Sequence, residues 1–431
     1  MKWLPKFRFS MRTLFMLVTL LCVVLVPLSV RLYQARQQRL AVEWVLENGG
    51  WVSYHYEYDE LDGINSWDTG APSDNLWLRS LLGNDVFDTV EMVSFDNSGI
   101  EDLSTLTQLK QLKYINLSET NVTDITPLTK LSKLEVVDLR KSSITNVYCP
   151  ITDVSSLSQV SSLKRLYISD AQIASAVSLT KLESLEVIYI DLEKPESLKY
   201  LPQFSYPIHL TISENLIDDL TLLEEVSVIE TLNISNTILD ELPSLAHMKQ
   251  LDKLSILSSL EIANLPALPN SHRLTSLELR NSQVVNLRPL ENQTNLNQLG
   301  LFANNVSDIS FLTKLKKLKI LSLYEPQVSD YSALAELDQL EVLYINAENL
   351  TDLDSVANLK KLRWLMLISP NLTDLSPLLN LSNLEELILC DMEVPQAEIS
   401  KLQKAHPNCV IDTSKKGSLD VAVSSFLFLL E

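Results

Sequence analysis

The sequence predicts an α/β solenoid. Short strands would lie side by side in one parallel, concave sheet, linked by short convex helices or 3-10 turns and preceded by one transmembrane helix. Three observations predict it. A pattern of the form L-x-x-L-x-L-x-x-x-x-I/V-x-x-L-x-x-L-x-x-L recurs from Val90 onward. The recurrence keeps its register through fourteen units over most of the chain, which marks a stacked array. An uncharged run, residues 13–30, stands ahead of it with basic residues on both sides.

Composition narrows the function. Among 431 residues there are only 8 Gly and 4 Cys, too few for a Gly-rich nucleotide-binding enzyme, a disulfide scaffold or a zinc module. Acidic residues outnumber basic ones 55 to 35, for a net charge of -20. The phosphate backbone of a nucleic acid would repel such a chain. The charge is also uneven. Lys2, Lys6, Arg8, Arg12, Arg31, Arg36 and Arg39 make the first 40 residues basic, and the rest carries 28 basic and 55 acidic residues.

Taken in order, residues 1–12 form a basic tail. The apolar run 13–30 follows, about 27 Å long as a helix. That is just enough to span a bilayer. Four basic side chains precede it and three arginines follow, which favours a cytoplasmic N-terminus with the remainder exported. A cleaved signal peptide is the competing reading. It lacks an A-x-A site, and Pro27, Leu28 and Ser29 run closely into Arg31 as at a membrane boundary. Residues 31–89 read as a linker and N-terminal cap. Within them Tyr33–Asn48 is an amphipathic helix closed by Gly49 and Gly50, and Trp51–Tyr58 is an alternating aromatic strand. Residues 59–75 form a polar loop, and Leu76–Leu82 a second helix-like run.

The array occupies residues 90–394. Its first position falls on Val90, Leu112, Leu134, Leu163, Leu185, Pro207, Ile229, Leu251, Leu274, Leu296, Leu318, Leu340, Leu362 and Leu384. The step is 22 residues, except for one of 29 after Leu134 and one of 23 after Leu251. Thr145–Pro150 reads as a loop inserted in the longer unit. One unit cannot bury its own apolar face, but stacked neighbours can, with parallel strands about 4.8 Å apart. Asp recurs twelve residues after the unit start, as at Asp102, Asp124, Asp219, Asp308, Asp330, Asp352 and Asp374, and Pro fifteen after it at Pro127, Pro289 and Pro377. Asp as N-cap with Pro in the first turn marks the short outer helix.

Runs such as LKYINLSETNVTDITPLTKL (112–131) and LRWLMLISPNLTDLSPLLNL (362–381) resemble the leucine-rich repeat family. The likeness is to its 22-residue class, shared by bacterial internalin-like proteins and phosphatase-regulator repeats. Residues 399–411 look like the C-terminal cap of such arrays, placed here at 395–411, with a tail at 412–431. Anchor, cap and array together resemble membrane-anchored repeat proteins of planctomycetes. The resemblance implies a horseshoe and a binding role. The chain departs from the family where many members carry Asn eight residues into the unit. Only Asn215 and Asn304 do so, against Thr120, Ser142, Thr237 and Ser282.

Motifs for catalysis are missing. No G-x-x-x-x-G-K-[ST], H-E-x-x-H or C-x-x-C occurs, and the five histidines are scattered. Neither a catalytic residue, a cofactor, a metal nor a small-molecule substrate is expected. His209 falls on the concave face as a contact or plain surface residue. Cys390 also falls there, Cys409 falls in the core, and a bridge between them would join opposite faces.

The informative positions lie two, four and six residues into each unit, pointing away from the core. In the units starting at Pro207, Ile229, Leu251 and Leu274, all but Leu257 are polar or charged. In the last five units they include Phe302, Ile320, Tyr324, Val342, Tyr344, Trp364, Met366, Ile368, Ile388 and Cys390. A weaker counterpart nearer the N-terminus comprises Tyr114, Val136, Tyr167, Val187 and Tyr189. An exposed apolar patch of that kind marks a protein interface. Its expected contact residues are Phe302, Tyr324, Tyr344, Trp364, Met366, Ile368 and Ile388. Two other readings stay open: ordinary packing between neighbouring units, and coverage by the tail, whose apolar FLFLL run is too short to span a membrane. The functional expectation is a membrane-anchored protein that binds another protein. The alternatives are a structural or self-associating envelope spacer and a regulatory subunit of a cytoplasmic enzyme.

Overall fold

The computed structural model describes residues 11–55, 77, 79, 83–95, 99–118, 120–140, 150–179, 182–213, 217–237, 239, 241–257, 262–270, 272–280, 283–324 and 327–413. The polar loop 59–75, most of the inserted loop at 145–150 and the tail beyond 413 lie outside them. The chain divides into two compact units, Met1–Glu186 and Val187–Glu431.

The first unit opens with helix α1, Met11–Glu47. The apolar run and the expected helix from Tyr33 are one continuous helix through Pro27. Proline forfeits a single backbone hydrogen bond there, and the residues after it offer no stop signal before Asn48. The helix is long and apolar enough to cross a membrane, and the rest of the chain covers none of its most apolar stretch. Its C-terminal part behaves differently. Ala41, Val42 and Val45 are buried, and Trp44 meets Phe95 edge-on at 6.0 Å. Gly49 then takes a φ of 77°, the left-handed turn that ends the helix.

Strand β1 (Gly50–Tyr54) runs antiparallel to β2 (Val90–Phe95). A side chain on Gly50 would come within 2.7 Å of the Phe95 ring, so only glycine lets this cap close. Parallel strands β3 (Tyr114–Asn116), β4 (Val136–Asp138) and β5 (Arg165–Ser169) follow. Val136 pairs with Arg165, which confirms the step of 29. Helix α2 (Asp170–Ala176) begins with a capping box between Ser169 and Gln172.

The second unit continues the pattern in parallel from β6 (Val187–Leu192) through β7 (Ile208–Ser213), β8 (Ile229–Ser235), β9 (Lys253–Leu257) and β10 (Ser276–Arg280). Then come β11 (Gln298–Phe302), β12 (Ile320–Tyr324), β13 (Val342–Asn346), β14 (Trp364–Ile368) and β15 (Glu386–Leu389). Helix α3 (Gln396–Ala405) and the short strand β16 (Val410–Asp412) close it, with His406 Nε2 2.9 Å from the Leu378 carbonyl.

The pairing is in the expected register, with one correction. Ile188 of β6 pairs with Ile208 of β7, a step of 20 residues where the sequence pattern reads 22. Because strand side chains alternate with period two, a slip of two leaves every residue on its own face. A bulge between Ile208 and His209 precedes the return to the 22-residue step.

The connections are 3-10 turns, such as Thr126–Lys130, Ser310–Lys314 and Ser376–Asn380. The recurring Asp is not their N-cap in position, since it stands two residues ahead of the turn. Its carboxylate accepts the backbone N–H two residues on, at 2.8 Å for Asp124 and Thr126 and 2.8 Å for Asp374 and Ser376. This is an Asx-type bond, and it orients the chain into the turn.

Candidate protein-binding face

Three rows of side chains run across the outward face of β11–β15. The first holds Gln298, Ile320, Val342, Trp364 and Glu386. The second holds Gly300, Ser322, Tyr344, Met366 and Ile388. The third begins with the pair Phe302 and Tyr324, continues with the pair Asn346 and Ile368, and ends at Cys390. Their direction follows from strand alternation, because the residues between them, Leu299, Leu301, Leu321, Leu343, Leu365 and Leu387, fill the core.

The seven expected contact residues therefore share one face and one neighbourhood. Phe302, Tyr344, Met366, Ile368, Ile388 and Cys390 form a single cluster, with Ile320, Tyr324 and Trp364 packed against it. Their exposure is not as expected. Met366 and Phe302 are 0 % exposed, Tyr344 2 % and Ile368 6 %, so the patch is sealed rather than open. Tyr324 and Trp364 are half-buried. Sequence spacing gives the direction of a side chain but not what lies over it. In β7–β9 the outward residues, from His209 to Leu257, are all half-buried or exposed.

Local chemistry sharpens the picture. The Trp364 indole Nε1 donates to Glu386 at 2.7 Å, fixing the ring against the next strand. Glu386 sits at the same offset one unit later, a signal present in the sequence but passed over. The Tyr344 hydroxyl is buried with no hydrogen-bond partner among the described residues. Burial is the main cause that pushes its ionisation above the usual tyrosine range, and Asn346 opposes it. The Cys390 and Cys409 thiols form no disulfide, and burial raises the Cys409 pKa.

Other predicted positions sit elsewhere. His209 is half-buried edge-on to Tyr189 at 4.6 Å, with Glu230 at 3.7 Å. Burial lowers its pKa more than Glu230 raises it. In the first unit Met92, Tyr114 and Val136 form a separate buried cluster with Tyr167 against it. Met92, two residues into its unit, was open to the same spacing argument and escaped it. Among the described residues, no three His, Cys, Asp or Glu side chains gather as a metal site.

Strand pairs such as Ile115 with Val137 and Leu321 with Leu343 are separated by 22 residues, with the same offsets turned inward each time and a 3-10 turn closing the loop. The chain has the leucine-rich repeat fold.

No protein-family model and no curated protein sequence matches the chain. Among solved structures, an internalin (InlF) from Listeria monocytogenes is similar at 24% identity, covering 72% of this chain and 92% of its own, with a TM-score of 0.49. A leucine-rich repeat protein from Leptospira interrogans is similar at 18% identity over 73% of this chain and 93% of that one, with a TM-score of 0.48. The Toll–Spätzle complex from Drosophila is similar at 14% identity over 76% of this chain and 43% of that chain, with a TM-score of 0.48. The likeness to anchored planctomycete proteins rests on the sequence alone.

Proposed function

We propose that this leucine-rich repeat protein is held at a membrane by α1 and binds another protein, without catalysis, on the outward face of β11–β15. The observation that carries the reading is the row of aromatic, thioether and branched side chains on five consecutive strands. A face meant only for water has no use for Phe302, Tyr344, Trp364 and Met366 together, and β7–β9 show how the same sheet is surfaced when it meets solvent. Large aromatic side chains beside charged and polar ones are the usual anchors of protein interfaces. In this reading Tyr324 and Trp364, half-buried at the edge, make first contact, and Phe302, Tyr344, Met366, Ile368 and Ile388 form the floor.

The membrane part of the reading rests on the exposed apolar length of α1 and on the basic residues flanking it. In this reading the N-terminus lies in the cytoplasm and the repeats outside. The acidic excess beyond residue 40 suits a partner with basic surroundings to its apolar contact.

The test uses edge residues whose loss leaves the core intact. Trp364→Ala is expected to weaken partner binding by a factor of about 30 or more, as for an interface anchor. Thr211→Ala, on the polar strands, is expected to leave it unchanged. Equal affinities for both variants would refute the site.

A further inference from the structure

Where α1 joins the first unit, a cavity opens beside it. Ala35 is the first buried residue of the helix, and every described residue ahead of it is exposed. Between this free stretch and the first repeat lies a space of about 790 Å³, within the usual size range of small-molecule clefts. Arg31, Tyr33, Gln34 and Gln37 line it from α1. Gln108, Lys110 and Gln111 face them from the turn that precedes β3, and Val86 and Phe87 add an apolar wall.

The charges around the cavity do not cancel. Its two acids are already held, Asp85 by Arg39 at 3.3 Å and Asp88 by Arg79. Gln38 is also committed, to Asp85, to the Asp88 carbonyl and to the Val90 N–H. Arg31 and Lys110 are exposed and pair with no acid among the described residues. Two spare positive charges therefore flank a cleft in a chain whose net charge is -20. The amides of Gln34, Gln37, Gln108 and Gln111 stand beside them with hydrogen-bond donors to offer.

The level of the cavity names the occupant. The uncharged run ends at Val30, so the hydrocarbon boundary falls there. A headgroup layer is about 5–8 Å deep on each side. Along α1 that is about five residues, Val30 to Gln34. Tyr33, with an apolar ring and a polar tip, suits the same layer. A soluble anion could meet basic side chains anywhere, but a cleft at this height opens onto lipid phosphates.

We propose that this cavity seats the phosphate headgroup of one anionic phospholipid, held by Arg31 and Lys110 and bonded by the glutamine amides. The site rests on the membrane reading of α1 given above. It fixes the repeats against the membrane surface rather than leaving them on a free stalk.

The test uses the full-length protein in vesicles of phosphatidylcholine with a minor fraction of phosphatidylglycerol. Lipid retained after mild detergent extraction is read by native mass spectrometry. Preferential retention of phosphatidylglycerol is expected. Arg31→Gln with Lys110→Gln is expected to weaken it about 30-fold, and Arg31→Gln alone less. Arg36→Gln with Lys133→Gln removes the same charge away from the cavity and is expected to leave retention unchanged. Equal retention by all variants, or equal loss in both pairs, would overturn the site in favour of diffuse attraction. Retention of added inorganic phosphate in place of phosphatidylglycerol would overturn it in favour of a soluble anion. Alkaline carbonate extraction of the same vesicles separates the two readings. Protein that stays in the membrane without lipid preference loses this site alone, and protein that is washed off loses the membrane reading with it.

Discussion

Ala303 shows how little of a residue's cost is visible in its type. It follows Phe302 at the end of β11 with a φ of 53°, in the left-handed region. A Cβ there costs roughly 1–2 kcal/mol against glycine. Asn236 and Asp391 take the same conformation at the same offset, and their short polar side chains tolerate it better. Ala303→Gly is therefore expected to stabilise the protein by up to about 1 kcal/mol once the added freedom of the unfolded chain is counted. Chemical denaturation measures it, and a destabilised variant would show that the methyl packs usefully. At this scale the sequence was silent about conformation. The spacing put Trp364 and Tyr344 on the right face, but nothing in the letters said that Phe302 and Met366 are sealed.

At the scale of the element, the repeat was legible because its physics is redundant. Each unit spells the same inward Leu positions, so Leu299, Leu321, Leu343 and Leu365 fall into one core row by spacing alone. What escaped was the two-residue slip between β6 and β7, since an even slip leaves the pattern of faces unchanged. The continuity of α1 escaped for a different reason, as Pro27 reads as a break when helical residues on both sides outweigh it. The Asp ladder carries a pH signature. Hydrogen bonds from the Ser or Thr two residues on lower the pKa of Asp102, Asp124, Asp153, Asp219, Asp308, Asp330 and Asp374. A carboxylate with a folded pKa below its unfolded value of about 3.9 stabilises the fold above that value. The contribution is lost as pH falls through the lower folded values. The thermal midpoint is expected to fall steeply below about pH 4, and Asp124→Asn with Asp374→Asn to make that acid limb shallower. An unaltered limb would show that the ladder is neutral to stability.

For the molecule as a whole, the proposed function divides the work between its parts by chemistry. A basic, apolar N-terminal helix suits a membrane, an acidic repeat region suits water, and one apolar face suits a partner. The acidic excess is expected to steer a basic partner, so the association rate should fall as salt is raised while dissociation changes little. The most direct test of the central claim replaces Trp364 by a photo-cross-linking amino acid, beside the same replacement at Thr211. A discrete protein adduct from position 364, absent from position 211, is the predicted result. The same adducts from both positions, or none from position 364, would contradict the claim that this face is where the protein meets its partner.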